Sequence, residues 1–254
     1  MNKLSAFFKK LSASFLNLLF PENLTCVNCG AELLADTRCN FCAECMEKLP
    51  FIGKHRCTIC GCELINEADY CNNCQKFDHF FERNVAPLKY EGVAAELIKK
   101  LKFGNKRYIA SELAKLMTDE FILSGAAADI AVFVPMSAKE EKARGFNQSR
   151  LIAENVAARL NIPLSEELKK VRETDTQKKL TAAERRENLK SVFALFNKSG
   201  LKGKTVLLID DVFTTGATVN ECARVLKKAG VRKVYSLTAC ITQFKLNAET
   251  SQEK

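Results

Sequence analysis

The sequence has 254 residues, is 47% apolar and carries a formal net charge of +9. A chain of this size can bury a real core, in one large or two small domains. No segment has the apolar length that a transmembrane helix needs. The positive charge falls in the C-terminal part, because residues 1–80 contain 8 Lys and Arg against 9 Asp and Glu. This excess suits an anionic substrate or nucleic acid, although scattered surface lysines that serve solubility would give the same balance.

Residues 1–21 are predicted to form a short amphipathic helix that ends at Pro21. Its apolar residues recur at helical spacing; they are Phe7, Phe8, Leu11, Phe15, Leu18 and Leu19. A signal peptide is not expected, because Lys9 and Lys10 lie inside the apolar region rather than before it. We expect this helix to dock on the chain's own core, with contact to a membrane surface or a partner protein as the alternative.

Residues 22–80 contain most of the chain's 12 cysteines, arranged as Cys-x-x-Cys pairs. The pairs are Cys26 with Cys29, Cys42 with Cys45, Cys57 with Cys60, and Cys71 with Cys74. Two residues between thiols let both sulfur atoms face one ion, and two such pairs complete a closed tetrahedral site with no catalytic position. The pattern therefore predicts two structural zinc ribbons with Cys ligands, each of which folds only with metal bound.

The alternatives for this module are a redox site or disulfides, and the short spacing within every pair weakens the disulfide alternative. Paired thiols that hold metal also suit a reducing compartment, so we expect a cytoplasmic protein. The remaining candidate ligands are expected to be spectators; they are Cys39, Cys62, His55 and His79. The near-neutral charge of this module argues mildly against strong non-specific DNA binding by the module alone.

From residue 84 to residue 245, segments with strand and helix character alternate, and a polar tail follows over 246–254. The alternation predicts an α/β domain with a mainly parallel sheet covered by helices on both faces. The predicted elements are a helix over 93–102, a strand over 129–134, a helix over 147–160, a strand over 206–209, a helix over 218–228 and a strand over 232–239. The last three form a β-α-β unit, and ligands of such sheets bind beyond the carboxyl ends of the strands.

The most informative run extends from Val206 to Thr218, where a turn of small residues headed by two carboxylates joins a buried strand to a helix. Asp210 and Asp211 repel each other and resist desolvation, so their position indicates a ligand that is cationic or rich in hydroxyls. The hydroxyls and N–H groups of the turn would favour a phosphate at the start of the next helix. The structural alternative is a β-α turn with an N-cap Asp. A P-loop is excluded, because no Gly-Lys-Ser/Thr follows, and we expect a sugar-phosphate site.

This run resembles the signature of the type I phosphoribosyltransferases, which bind phosphoribosyl pyrophosphate (PRPP) together with Mg²⁺. The resemblance implies the type I phosphoribosyltransferase fold for the larger domain. It also implies that Asp210 and Asp211 are catalytic and hold the 2′- and 3′-hydroxyls of the ribose. The loop that follows is implied to hold the 5′-phosphate through Thr214, Thr215, Gly216, Ala217 and Thr218.

Further segments resemble the ComF family, which joins an N-terminal zinc domain to a phosphoribosyltransferase-like domain. The segments are Val134-Pro135, Arg144-Gly145-Phe146-Asn147-Gln148, the start of the domain at Leu101-Lys102-Phe103, and the mobile loop over 172–188. The resemblance implies PRPP contacts from Pro135, Met136, Arg144 and Lys102. It implies a charged lid that carries Arg172, Gln177 and Arg185. Phe133 departs from the family pattern, since many members have another Pro there.

The ComF resemblance implies a protein that binds PRPP with Mg²⁺ and acts in natural competence and DNA uptake. An active member would be a glycosyltransferase that transfers a pentosyl group, with a base-like nucleophile displacing pyrophosphate at C1. The alternative is a non-catalytic, zinc-dependent adaptor that binds incoming single-stranded DNA and competence partners such as a helicase. Within the cytoplasm, the inner face of the membrane is the more specific location considered. Strand binding needs exposed aromatic residues. The chain has no Trp and only 4 Tyr, and its 17 Phe are expected mostly in the core.

Overall fold

The computed structural model describes residues 25–33, 39–65, 67–172, 189, 191–197 and 200–243. The predictions for residues 1–21, for the tail 246–254, for Gln177 and for Arg185 fall outside these described residues. The chain divides into two compact units, Met1–Lys48 and Leu49–Lys254. The second half of the cysteine-rich region therefore belongs to the same unit as the sheet.

Both halves of the cysteine-rich region use the same short motif. Isolated bridges bracket the first Cys pair of each half, and they join Thr25 to Glu32 and Arg56 to Glu63. A short helix then carries the last cysteine of each half. Helix α1, Ala43–Glu47, holds Cys45, and helix α2, Asn72–Gln75, holds Cys74. The repeat in the cysteine spacing is thus also a structural repeat.

The second unit is built on a parallel sheet of six strands. In chain order the strands of this unit are β1 (Asn84–Val85), β2 (Leu88–Lys89), β3 (Ile130–Phe133), β4 (Leu164–Ser165), β5 (Leu168–Lys170), β6 (Phe193–Leu195), β7 (Thr205–Phe213) and β8 (Lys233–Ile241). The order across the sheet is β1-β8-β7-β3-β4, with β2 also beside β8. Every pairing in this sheet is parallel, whereas β5 and β6 form a separate antiparallel pair.

Helices lie between the strands in chain order. They are α3 (Gly92–Phe103), α4 (Ile109–Leu123), α5 (Ala138–Arg144), α6 (Gln148–Leu160) and α7 (Ala217–Lys228). The chain steps from β3 through α6 to β4 toward one edge of the sheet, and from β7 through α7 to β8 toward the other edge. Because such crossovers are right-handed, α6 and α7 cover opposite faces. The structure confirms the predicted α/β class, a parallel sheet with helices on both faces.

Local sequence signals explain where α5 and α6 begin and end. Helix α5 begins with a capping box, in which the side chains and backbone amides of Ser137 and Glu140 bond to each other. It ends at Gly145, whose φ of 84° lies in the left-handed region that favours glycine. Helix α6 begins at Asn147, whose Oδ1 accepts a hydrogen bond from the Ser149 amide at 2.9 Å. The Arg-Gly-Phe-Asn-Gln segment is therefore the junction of two helices.

The elements differ from the predicted ones in two respects. Strand β7 continues to Phe213 instead of ending at Ile209, because residues 210–213 keep their pairing with β8. The prediction also lacks the helices α4 and α5 and the short strands β1, β2, β4, β5 and β6. Helix α4 has a weak amphipathic pattern, since it buries apolar residues along most of its length and still exposes Ile122 and Leu123. In the described part of the chain, no helix combines the length and the apolar character that crossing a membrane requires.

Candidate functional site

Each half of the cysteine-rich region brings thiols together around a common point. Within each group the sulfur atoms lie within 4.8 Å of one another. The first group is Cys26, Cys29, Cys42 and Cys45, and the second group is Cys57, Cys60, Cys71 and Cys74. Four soft thiolate donors fit a structural Zn²⁺ and leave no position for a catalytic water. We refer to the two groups as the first and the second zinc site.

The cysteines and histidines outside the pairs do not join either group in the described residues. Cys62 is 2% exposed and packs in the same apolar cluster as the second zinc site. The Nε2 atom of His79 lies 3.3 Å from the carbonyl oxygen of Cys74, and its ring packs edge to face on Phe81 at 5.2 Å. These contacts are those of supporting residues rather than of metal ligands.

The two predicted catalytic carboxylates lie within the central strand β7 and have different partners. Asp211 is 4% exposed, and its Oδ2 atom lies 2.7 Å from Nζ of Lys102 in α3. Asp210 is half-buried, and its Oδ1 atom accepts hydrogen bonds from Oγ of Ser149 at 2.7 Å and from the Asp211 amide at 2.9 Å. The sequence led us to expect both carboxylates to face one sugar. Consecutive strand residues project in opposite directions, so the two carboxylates have different partners within the protein.

Burial and neighbouring charges shift the pKa values of Asp210 and Lys102. Burial raises the pKa of Asp210 to about 7, and the negative charge of Asp211 adds to the shift. Burial acts to lower the pKa of Lys102, but the carboxylate of Asp211 outweighs it and holds this pKa above its ordinary value. The site therefore combines a close pair between Lys102 and Asp211 with an Asp210 carboxyl whose pKa is raised toward neutral pH.

The loop 214–218 forms a tight turn between β7 and α7. Gly216 has a φ of 75°, and a Cβ atom at this position would lie 2.5 Å from Cζ of Phe213. Glycine is required for both reasons. The turn presents threonine hydroxyls and the first N–H groups of α7, which have no partners inside the helix, as an anion site does. It contains the predicted phosphate-binding residues Thr214, Thr215, Gly216, Ala217 and Thr218.

A cleft of about 370 Å³ lies between the last turns of α3 and α5. Its lining includes Lys102, Phe103 and Arg144. The side chain of Phe103 is 78% exposed, and the guanidinium of Arg144 lies over its ring, 5.3 Å from the centroid. Because Lys102 is also the partner of Asp211, the cleft opens next to the two carboxylates.

The segment after β3 reaches the same edge of the sheet. The Val134 amide donates to the Ile209 carbonyl at 2.9 Å, so this segment leaves the sheet beside Asp210. Pro135 is buried and Met136 is half-buried as the chain leads into α5. The structure thus brings together, at the carboxyl edge of parallel strands, most of the residues that the sequence implicated in PRPP binding.

The predicted mobile loop is bracketed by the antiparallel strands β5 and β6. Of the three residues implicated there, Arg172 is described and exposed. The Nζ atom of Lys170 in β5 lies 3.0 Å from Oε2 of Glu140 in α5, and Glu140 also lines the cleft. The strand that leads into the predicted loop is therefore tied to the wall of the cleft.

Sequence reasoning missed Ser149, Phe103 and Glu140 as parts of this site. Ser149 directly follows the Arg-Gly-Phe-Asn-Gln segment, and that position was the available signal for it. Phe103 adjoins Lys102, but its apolar character suggested a place in the core. The pair of Glu140 with Lys170 joins residues 30 positions apart, so no local pattern marks it.

Two protein-family models match the chain. The model described as "Double zinc ribbon domain" matches residues 15–75, and the model described as "Phosphoribosyl transferase domain" matches residues 147–252. The first match agrees with the two Cys₄ groups, so the cysteine-rich region is a double zinc ribbon with structural zinc. The second match includes both carboxylates and the loop 214–218.

Known proteins resemble the chain over most of their length. It is 32% identical over 225 residues to "Competence protein F" of Haemophilus influenzae, a match that covers 84% of this chain and 94% of that protein. It is 32% identical to "DNA utilization protein YhgH" of Escherichia coli strain K12, covering 74% of this chain and 85% of that protein. The identity to "Competence protein ComFC" of Bacillus subtilis is 29%, covering 74% of this chain and 78% of that protein. Coverage of this extent includes the sheet and cannot come from the cysteine-rich region alone.

We expect the purified protein to carry two zinc ions per chain, because both groups have a complete ligand set. Native mass spectrometry counts the ions directly. Cys45→Ser and Cys74→Ser should each reduce the content to one ion, whereas Cys39→Ser, outside both groups, should retain two. A single ion in the wild type, or loss of an ion in the Cys39 variant, would contradict the assignment.

Asp210→Asn is expected to stabilise the zinc-loaded protein more at pH 8 than at pH 5.5. Folding raises the pKa of Asp210 from 3.8 to about 7. The stability of the wild type relative to the Asn variant is therefore greatest below pH 3.8, where Asp210 is protonated in both states, and it is lost as the pH rises through 7. Asparagine has no charge to bury, so the relative gain between the two pH values is at most about 2 kcal/mol.

Differential scanning calorimetry of both proteins at the two pH values measures this effect. The zinc content is determined at each pH, because protonated thiols release the metal. An equal difference in Tm at both pH values would show that the Asp210 carboxyl is not perturbed by burial.

Proposed function

The chain belongs to the ComF family, and on that premise we propose that it binds PRPP with Mg²⁺ at the carboxyl edge of its parallel sheet and acts in DNA uptake or DNA utilisation. One observation carries the binding proposal: Asp210, Asp211 and the loop 214–218 meet at that edge beside Lys102. The names of the relatives support the role in handling DNA. A cytoplasmic location, with a competence helicase or another DNA-uptake protein as partner, is part of this proposal.

In this proposal the 5′-phosphate of PRPP binds in the loop 214–218. The threonine hydroxyls of the loop and the N–H groups at the start of α7 supply donors, and the helix dipole favours the negative charge. The pyrophosphate lies toward the cleft, where Arg144 supplies a fork of donors suited to phosphate oxygens. The segment with Pro135 and Met136 forms the wall on that side. When bound, Mg²⁺ supplies charge neutralisation for the pyrophosphate.

Ribose binding is proposed to exchange the partners of the carboxylates. Lys102 lies in the last turn of α3 with its side chain 23% exposed, so its ammonium group is able to turn from Asp211 to the pyrophosphate. The 2′- and 3′-hydroxyls of the ribose then replace it as hydrogen-bond donors. Hydrogen bonds to the ionised form favour that form, so bound ribose lowers the pKa of Asp210 and holds it as a carboxylate.

The chemistry that follows is transfer of the pentosyl group. A bond forms between C1 and the nucleophile, the bond from C1 to the pyrophosphate oxygen breaks, and the pyrophosphate leaves with the electron pair while the nucleophile loses its proton. Positive charge develops on the sugar ring. A carboxylate about 4 Å away stabilises it by roughly 4 kcal/mol at an effective dielectric constant of about 20. Closure of the loop with Arg172, Gln177 and Arg185 excludes water, which prevents hydrolysis.

Zinc-loaded protein is expected to bind PRPP in the presence of Mg²⁺, and Lys102→Gln is expected to weaken the affinity about tenfold because a charged contact is lost. Isothermal titration calorimetry measures both. Lys115→Gln is the matched control, because Lys115 is similarly buried and pairs with Glu112 on α4. Thermal unfolding confirms that each variant is folded. The absence of PRPP binding by the wild type would reject the proposed function.

A second function, binding of single-stranded DNA, is favoured by aromatic residues that the sequence placed in the core. Most of the described phenylalanines are buried as expected, but Phe51, Phe77, Phe80, Phe103 and Phe196 are exposed. Phe103 is 78% exposed and lines the cleft together with Lys102 and Arg144, whose guanidinium lies over its ring. An exposed ring on which a base stacks, beside cations that contact phosphates, is the usual basis of single-strand binding.

Phe103→Ala is expected to reduce the affinity for a fluorescent oligo(dT) strand by roughly 5- to 100-fold, the effect of losing one stacked base. Fluorescence anisotropy measures the affinity at several salt concentrations. The slope of the logarithm of the binding constant against the logarithm of the salt concentration should stay unchanged, because the substitution removes no cation. Ile122→Ala, which trims an exposed apolar residue of α4, is the control. Equal affinities for the wild type and the Phe103 variant would remove the stacking role.

A further inference from the structure

The start of α7 is hydrogen-bonded to residues 78–80, the segment that follows the second zinc site. The side chain of Asn220 holds this segment from two directions. Its Oδ1 atom accepts a hydrogen bond from the Phe80 amide at 2.8 Å, and its Nδ2 atom donates to the Asp78 carbonyl at 3.2 Å. The backbone amide of Asn220 donates to the Gly216 carbonyl at 2.8 Å. One residue therefore connects the loop 214–218, the first turn of α7 and the zinc-bearing segment.

A second contact reaches the loop from within the zinc site. Asn73 lies between the ligands Cys71 and Cys74 in α2, and its Nδ2 atom lies 3.5 Å from the Thr215 carbonyl oxygen, which accepts the hydrogen bond. A helix of 4 residues has no stability of its own, so the metal fixes the position of Asn73.

A third contact is aromatic and lies beneath the loop. The ring of Phe81 packs edge to face on Phe213, with the centroids 6.0 Å apart, and both residues are buried. Phe213 in turn occupies the space next to Gly216. His79 joins this stack to the carbonyl of Cys74. Packed rings thus extend from a ligand of the second zinc site to the underside of the loop.

From these contacts we infer that the ion of the second zinc site positions the loop 214–218, so that zinc occupancy regulates PRPP binding. The inference rests on the proposed function, because it concerns the loop that is proposed to take the 5′-phosphate. An anion site made of N–H groups binds well only when those groups are fixed in advance. Loss of the ion releases Asn73 and the segment held by Asn220, and the loop loses its supports. Asn73 and Asn220 are positioning residues.

The test uses the full chain, loaded with zinc, and compares Asn220→Ala and Asn73→Ala with the wild type. Asn155→Ala is the matched control, because in the described residues that side chain donates to the Leu151 carbonyl of its own helix, at 2.8 Å, and not to the loop or the zinc-bearing segment. Native mass spectrometry confirms that every variant keeps two ions. Titration calorimetry measures PRPP binding with Mg²⁺, and hydrogen exchange with mass spectrometry measures the protection of peptides over 211–220 without any ligand.

Asn73→Ala, which removes one hydrogen bond, is expected to bind PRPP about five- to tenfold more weakly, and Asn220→Ala, which removes two, at least as weakly. Both should also exchange faster over 211–220, with the zinc content unchanged and the Asn155 variant like the wild type. Cys74→Ser, which breaks the second zinc site itself, should raise exchange over the same peptides still further. If this variant fails to fold, the two asparagine variants keep the test decisive.

The outcomes separate the two proposals. Wild-type affinity and wild-type exchange in both Asn220→Ala and Asn73→Ala overturn the inference. If the zinc-loaded wild type binds no PRPP, the proposed function fails, while the exchange over 211–220 still shows whether the second zinc site holds the loop.

Discussion

Two carboxyl groups lie within the central strand of the parallel sheet, and much of the surrounding architecture serves to compensate their charge. An unpaired carboxylate in such a place is costly. Lys102 therefore reaches in from the end of α3, and Ser149 from the start of α6. These two contacts hold the ends of both helices at one edge of the sheet. Packing alone would not favour two adjacent carboxyl groups at this position. In the proposed function they serve to bind a ligand whose hydroxyls replace Lys102 and Ser149 as donors.

The sequence was sufficient for those features that local patterns encode. The spacing of the cysteines predicts both Cys₄ groups, and the run 206–218 predicts a strand, a tight turn and a helix in the right order. The end of the central strand was predicted too early, because a pair of acids is rare inside a buried strand. The strand continues here since Lys102 neutralises Asp211. Contacts such as Ser149 with Asp210, which lie 61 positions apart, leave no local pattern and could not be predicted.

The cysteine repeat suggested two equivalent zinc sites, but the fold assigns them to different units. The second site lies in the unit of the sheet, and its cysteines share an apolar cluster with Phe81, Phe213 and residues of α7. The spacing of the cysteines indicates only how the ligands meet around an ion, and the Cys-x-x-Cys pairs are the same in both halves. The packing of the second site on the sheet depends on distant apolar residues such as Phe213. Equal motifs therefore carry unequal structural roles.

The two proposed functions use the same edge of the sheet but different parts of it. A sugar phosphate needs the carboxylates and the loop 214–218, whereas a stacked base needs the exposed ring of Phe103 and the cations around it. Lys102 belongs to both sets, because it pairs with Asp211 and also lines the cleft beside Phe103. If Lys102 moves from the buried Asp211 to a phosphate in the cleft, it links the carboxylates to the surroundings of Phe103 electrostatically. Any ligand that draws Lys102 into the cleft would leave Asp211 in need of new donors, and in the proposed function the ribose hydroxyls take that place.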